Sequence, residues 1–232
     1  MNEITFKLKG NESFNIREGW LSKGIEAIRD DPYIFTQSSA MDTLGVGSKM
    51  VKSIRFWMQA TGLAQETREN GKRRQTLTEG FGEIIAEKDP YFEDVATLWL
   101  IHSKIIVRKE LCTAWYFFFN TIEATEFDRD DLIMLLGYEM NKLVGHGNYS
   151  AKSLEDDCVN IIRMYLKEDL KTKGLRDPEE NLSSPFSELG LIQKSEVFPK
   201  KYKKTQPIQD SLDKLVVMYV LLGSLGEGQH AV

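Results

Sequence analysis

Apolar residues recur along this chain at helical spacing for most of its length, interrupted by short alternating runs and turn residues. At the start, Ile4, Phe6 and Leu8 alternate with polar residues and Gly10-Asn11 follows, which predicts a short strand closed by a turn. The spacing becomes helical over 21–29, and Asp30, Asp31 and Pro32 stop it. A helix is predicted over about 36–44, ended by Gly45. A second starts at Ser48 as N-cap and runs to about Thr61, with Gly62 in the C′ position. Residues 63–67 and 75–78 can then pair as strands around "ENGK", because Asn-Gly suits a two-residue hairpin turn. Helix, turn, helix and a hairpin with a basic tip is the order of a winged helix-turn-helix.

Beyond residue 86 the helical period dominates. In "DPYFEDVATLWLIHSKII", Val95, Leu98, Trp99 and His102 fall at i, i+3, i+4 and i+7 of a helix expected to begin near Pro90. "ELCTAWYFFFNTI" is so aromatic that it must be mostly buried. "FDRDDLIMLLGYEMNKL" opens a helix with Asp128 as N-cap, and "SAKSLEDDCVNIIRMYLKEDL" opens another, capped near Ser153. "KTKGLRDPEENLSSP" is a loop by composition. "FSELGLIQK" then echoes "WMQATGLAQ", and "KSEVFPKKYKKTQ" supplies a second lysine-rich strand pair. This echo allows a second, degenerate winged unit over about 150–205. The apolar run "LVVMYVLLGSL" at 215–225 is too short to span a bilayer and reads as a buried helix. The predicted fold is mostly α with small β-hairpins. Residues 1–86 hold an N-terminal segment and the winged helix-turn-helix, and 87–232 a helical domain.

Composition narrows the classes. Hydrophobic residues make up 41% of the chain, enough for a core, and the net charge of −5 argues against a uniformly basic nucleic-acid binder. Local basic patches decide phosphate contact, however, not the total. Cys112 and Cys158 form no CxxC pair, which argues against a zinc ribbon or a disulfide scaffold and fits a reducing cytoplasm. "MNEITFKLKG" is too polar for a signal peptide, so a cytoplasmic protein without a membrane partner is expected.

The candidate chemistry begins on the second helix of the winged unit. On a helical wheel, Ser48, Lys49, Lys52, Phe56 and Gln59 share one side. Met50, Val51, Ile54, Trp57 and Met58 share the other, and Arg55 lies at the polar edge. The cationic side is where a recognition helix meets the major groove, although three cations on a helix are more often a solvated face. An exposed Phe56 would need a partner, whether a thymine methyl, a second subunit or a neighbouring helix. The wing adds Arg68, Lys72, Arg73 and Arg74 against Glu66 and Glu69. The predicted DNA contacts are therefore Lys49, Lys52, Arg55, Gln59, Arg68, Lys72, Arg73 and Arg74.

Asp89, Glu93 and Asp94 of "DPYFED" form a carboxylate group that could serve strand cleavage with a divalent cation. Acids in a first helical turn also simply complement the dipole. Asp128, Asp130 and Asp131 read as capping residues, and Glu155, Asp156 and Asp157 lie early in their helix. His102 sits on an apolar face, as hydrogen-bonded core histidines do, and His146 lies in a loop. No HxH, HExxH or DxD pattern assigns a metal. With no P-loop or dinucleotide fingerprint, no nucleotide cofactor is expected. Glu12 and Arg17 can pair with each other, or Arg17 can clamp a phosphate. Trp20, Trp57, Trp99 and Trp115 read as core.

Several strings also resemble one family. "FKLKGNESFNIREGWLSKG" looks like its opening motif, Phe-x-Gly-His-Glu-x-Phe-x-x-Arg-x-Gly-Trp-Leu-x-Lys. "LGVGSKMVKSIRFWMQATGL", "DPYFEDVATLWLIH" and "AWYFFFN" look like its next three. This is the SspB-like bacterial domain-of-unknown-function family numbered four thousand and seven, tied to a DNA phosphorothioation defence system. The resemblance runs over about 5–220. It implies double-stranded DNA as substrate and nicking of one strand, a reaction that usually needs a divalent cation such as Mg²⁺ or Mn²⁺. It also implies a cysteine desulfurase, an ATPase and an ATP-pyrophosphatase-like sulfurtransferase as partners. A non-catalytic DNA-binding adaptor or regulator and a protein-interaction scaffold remain open, and a homodimer is compatible with the apolar C-terminal helix. Asn11 stands where the family motif has His.

Overall fold

The computed structural model describes residues 5–167, 184–207 and 212–228. Its first helix, α1 (Trp20–Asp30), follows from the spacing of Trp20, Leu21, Ile25 and Ile28, all buried. Ahead of it, residues 5–7 adopt no regular structure and pair with no strand among the described residues. The expected opening strand is absent there, and Ile4 lies outside the described residues. The segment packs as a strap instead: the Lys7 amide donates to Thr113 Oγ1 at 2.9 Å and Trp57 Nε1 donates to the Phe14 carbonyl at 2.9 Å.

The single helix predicted over 36–44 is split into a 3-10 turn, Ile34–Thr36, and a short helix α2 (Ala40–Leu44). Polar side chains explain the break. Thr36 Oγ1 donates to the Tyr33 carbonyl, Gln37 Nε2 to the Asp31 carboxylate and Ser39 Oγ to Gln37. Such local bonds compete with helical ones. Helix α3 (Ser48–Ala60) has Gly47 as its N-cap, so Ser48 is its first helical residue and not the predicted cap. Gly62 ends it as expected, its amide donating to the Gln59 carbonyl at 3.0 Å. The hairpin follows: β1 (Ala64–Glu69) pairs antiparallel with β2 (Lys72–Leu77), Ala64 opposite Leu77 and Glu69 opposite Lys72. Asn70 and Gly71 both have positive φ, 49° and 78°, the turn geometry that matches strand twist.

Helix α4 (Phe81–Lys88) leads into the "DPYFED" motif. The next helix, α5 (Val95–Val107), starts at Val95 and not near Pro90, because Asp94 caps it: its carboxylate accepts the Ala96 amide at 2.8 Å. Helix α6 (Thr113–Asn120) and strand β3 (Glu126–Phe127) precede α7 (Arg129–Val144), where Asp128 and Asp131 form a reciprocal capping box. Helix α8 (Ala151–Tyr165) is capped by Ser150, whose hydroxyl accepts the Ser153 amide. Ser153 is thus the donor and not the cap.

The region that echoes the first hairpin has a 3-10 turn, Pro185–Leu189, in place of a helix end. A left-handed Gly190 and β4 (Ile192–Lys194) follow. Strand β5 (Tyr202–Lys204) lies between β3 and β4, so the lysine-rich pair belongs to a three-stranded antiparallel sheet. Most of the predicted loop at 171–185 lies outside the described residues. Helix α9 (Lys214–Gly228) closes the described chain. Residues 215–225 were expected to be buried. Of the side chains described there, Val216 is buried, whereas Leu215, Val217, Met218, Tyr219, Leu221 and Leu222 are exposed.

One hydrophobic core runs from Ile16 to Val216 and crosses residue 86. Trp57 and Trp115 meet edge to face at 5.4 Å, and Arg108 donates to the Gln59 carbonyl. All four tryptophans are buried, as expected. His102 is also buried, hydrogen-bonded through Nδ1 to Tyr165 Oη at 3.0 Å. It sits among Trp99, Phe119 and Tyr165, and burial lowers its pKa to about 3. It is a neutral core histidine. Among the described residues no helix is long and apolar enough to cross a membrane.

Candidate nucleic-acid interface

Helix α3 presents two faces. Val51, Ile54, Trp57 and Met58 are buried, while Lys49 and Lys52 are exposed and make no ion pair among the described residues. Phe56 does not belong to the open face: it is 6% exposed. The opening segment covers it. Lys7 Nζ stands 5.5 Å from its ring centroid, and a Cβ on Gly10 would lie 2.5 Å from its Cε2 atom. Neither a thymine methyl nor a second subunit is needed to cover this ring.

Arg55 is anchored within the chain. Its guanidinium meets the Glu66 carboxylate through Nε at 2.7 Å and Nη2 at 3.3 Å. Glu66 also accepts from Gln75 Nε2 at 3.1 Å and Gln59 Nε2 at 3.4 Å, and lies 3.5 Å from Arg73 Nε. One carboxylate therefore ties α3 to both strands of the hairpin. Farther out, Arg74 lies 3.6 Å from Glu69, which also accepts the Tyr33 hydroxyl at 2.6 Å. Where β2 passes the chain after α1, the Gln75 amide donates to the Pro32 carbonyl at 2.8 Å.

Of the residues selected from the sequence, Arg55, Gln59, Arg73 and Arg74 are thus engaged inside the unit. Lys49, Lys52, Arg68 and Lys72 are exposed with no ion pair among the described residues. The sequence reading missed Glu66 and Gln75 as organisers. The signal was present in the strand period of two: in β1, Ala64 and Glu66 share the face turned to α3, whereas Gln65 and Thr67 are exposed.

The acidic motif has a different geometry. Asp89 accepts the Glu93 amide at 2.9 Å and the Asp94 amide at 3.2 Å, and Asp94 caps α5; Glu93 is exposed. Two of the three carboxylates therefore bond to backbone amides. Among the described residues no group of three or more His, Cys, Asp or Glu side chains could hold a metal ion. The predicted Glu12–Arg17 pair is absent among the described ion pairs. Arg17 lies over the rings of Phe14 and Trp20, 5.6 and 5.4 Å from their centroids. The lysines of the second strand pair partly turn inward: Lys201 pairs with Asp131 at 2.8 Å, and Lys204 Nζ donates to the carbonyls of Phe118 and Ile122.

The model of a protein family of unknown function, DUF4007, matches residues 8–231, and the chain belongs to that family. Two solved structures of SspB, one of them magnesium ion-bound, share 26% sequence identity with it, with TM-scores of 0.79 and 0.77. The match covers 92% of this chain and 64% of each SspB chain, so this chain spans under two thirds of the length of those proteins. No curated protein matches it.

Proposed function

We propose that this chain is a DNA-binding component of a DNA phosphorothioation system and that α1–α3 with the β1–β2 hairpin act as a winged helix-turn-helix. The observation behind this reading is the set of exposed cations Lys49, Lys52, Arg68 and Lys72 on a helix and a hairpin that Glu66 holds together. Cations on two elements fixed in relative position can meet phosphates of one duplex at a set spacing. Arg55 and Gln59 contribute by positioning the hairpin. Arg73 and Arg74, with 47% and 40% of their side chains exposed, can still offer N–H groups to phosphate. The kinship with SspB supports the assignment to phosphorothioation. The proposed partners are the cysteine desulfurase, the ATPase and the ATP-pyrophosphatase-like sulfurtransferase of the same system.

Strand nicking at Asp89, Glu93 and Asp94 is a second reading, favoured by the magnesium ion in one SspB structure. In this motif Asp89 and Asp94 accept backbone amides, and no group of three or more His, Cys, Asp or Glu side chains that could hold a metal ion lies among the described residues. Supercoiled plasmid with Mg²⁺ or Mn²⁺, with and without EDTA, separates the readings. A gel shift at low salt is the expected result, and open-circle product formed only with the cation would support nicking; no shift at low salt would sink the DNA reading. Open-circle product that disappears in Asp94→Asn would establish nicking at this motif. Asparagine caps a helix about as well as aspartate, so this substitution changes the chemistry while sparing α5.

A further inference from the structure

We infer that Lys7, in the opening segment, is a further phosphate-contacting residue of the α3 surface, and that this segment borders the surface on the side away from the hairpin. The inference rests on the DNA-binding reading and adds to it a residue from outside α1–α3 and the hairpin.

The placement follows from the faces of α3. At 3.6 residues per turn, Lys49, Lys52 and Phe56 occupy one sector of the helix. Arg55 and Gln59 flank that sector on one side. Both donate to Glu66, so the hairpin stands there. Ser53 and Trp57 flank it on the other side. Both donate to the Phe14 carbonyl, at 3.5 and 2.9 Å, so the opening segment stands there. Between the two borders Lys49 and Lys52 are exposed, and one turn beyond Lys52 the helix carries an aromatic ring where the row would have its next cation. The opening segment supplies that cation, with Lys7 Nζ 5.5 Å from the Phe56 ring centroid. Phe56 lies about 6 Å beyond Lys52 and about 10 Å beyond Lys49 along the axis, so Lys7 continues the row that they begin.

Lys7 is both held and open. Phe6 and Leu8 pack against the core, and Lys7 between them is exposed. Its amide donates to Thr113 Oγ1 at 2.9 Å, and two residues on the Lys9 amide donates to Asp157 Oδ2 at 2.9 Å. A Cβ on Gly10 would lie 3.0 Å from Lys7 Cδ, so the aliphatic stem runs close along the segment. Lys9 is paired with Asp156 at 2.8 Å, whereas Lys7, Lys49 and Lys52 make no ion pair among the described residues. Three like charges on one side of a helix repel one another, and a polyanion with regularly spaced charges relieves that repulsion. A backbone already fixed on both sides of Lys7 leaves less freedom to lose on contact.

Binding of a labelled duplex by the full chain across a salt series tests the inference. Lys7→Gln removes the charge and keeps most of the stem over Phe56; Lys7→Arg keeps the charge. Lys7→Gln should make the log–log salt slope shallower by about 0.9, the loss of one phosphate contact, and Lys7→Arg should keep the parent's slope. Lys52→Ala gives the same measure for α3 itself, and the two losses should add to about 1.8 in the double variant. Lys7 is exposed, so the denaturation midpoint of Lys7→Gln should match the parent's. A slope unchanged in Lys7→Gln but shallower in Lys52→Ala would overturn this inference and leave the DNA-binding reading standing. A parent that does not bind at low salt would overturn both.

Discussion

At the scale of single residues, the opening segment decides more than its polarity suggests. Lys9, Glu12 and Ser13 all adopt positive φ, and the strap they shape closes over α8 and Phe56. Gly10 is required by that approach: alanine there would press its Cβ on the Phe56 ring. Gly10→Ala should cost about 1–3 kcal/mol by overpacking, read from chemical denaturation. A second residue under the strap is Asp157, 1% exposed, with Oδ2 accepting the Lys9 amide at 2.9 Å and Oδ1 without a hydrogen-bond partner among the described residues. Burial pushes its pKa up to about 7; the Lys9 amide opposes the shift and the charge of Asp156 adds to it. The folded pKa is raised above the ~3.9 of an unfolded aspartate, so its contribution is fully present below about pH 4 and lost as pH rises through about 7. Asp157→Asn should remove that loss, leaving the variant about 1–3 kcal/mol more stable relative to the parent at pH 8 than at pH 4. Denaturant melts across that range check it. His102 acts with opposite sign, its lowered pKa withdrawing stability as pH falls from about 6.5 toward 3, and the difference between parent and variant cancels it. His102 was legible as core from its apolar helical face. Phe56 was misread because a helical wheel treats α3 as isolated, and the residues that cover it arrive from the start of the chain.

At the scale of elements, the joint between α3 and the hairpin is the feature on which the proposed interface depends. Glu66→Ala removes the acceptor shared by Arg55, Gln59 and Gln75. It should lower stability by about 1–3 kcal/mol and speed amide exchange in the hairpin. Unchanged exchange in β1 and β2 would show that the carboxylate does not hold them. The elements read correctly were those with strong local signals: Asn70-Gly71 between β1 and β2, Gly62 after α3, and Asp128 before α7. Those misread were set by side chains that bond to nearby backbone or side-chain groups. Thr36, Gln37 and Ser39 break the predicted helix, Asp94 delays α5, and Ser150 takes the cap from Ser153. Spacing alone cannot rank such competing caps. Lys204 was equally hidden, because its partners are carbonyls at the end of α6 that only the assembled sheet brings near.

At the scale of the molecule, the succession of α3 and the β1–β2 hairpin and the family kinship were visible in the sequence, whereas α4 and β3 were not anticipated. Nor was the relation of surface to core. Residues 215–225 read as interior because hydropathy reports what a segment avoids and says nothing about what covers it. The cationic face of α3 was anticipated, but its paired members were not separable from its open ones until Glu66 was placed between helix and hairpin. The reading that joins these scales is that Lys49, Lys52, Arg68 and Lys72 meet one DNA duplex. Its most direct test is fluorescence anisotropy of a labelled duplex across a salt series, comparing the parent with the variant carrying Lys49→Ala, Lys52→Ala, Arg68→Ala and Lys72→Ala. Each phosphate contact adds about −0.9 to the log–log salt slope, so the expected result is weaker binding and a slope shallower by roughly 3 to 4 in the folded variant. A parent that fails to bind at low salt, or a folded variant with the parent's affinity and slope, would contradict it.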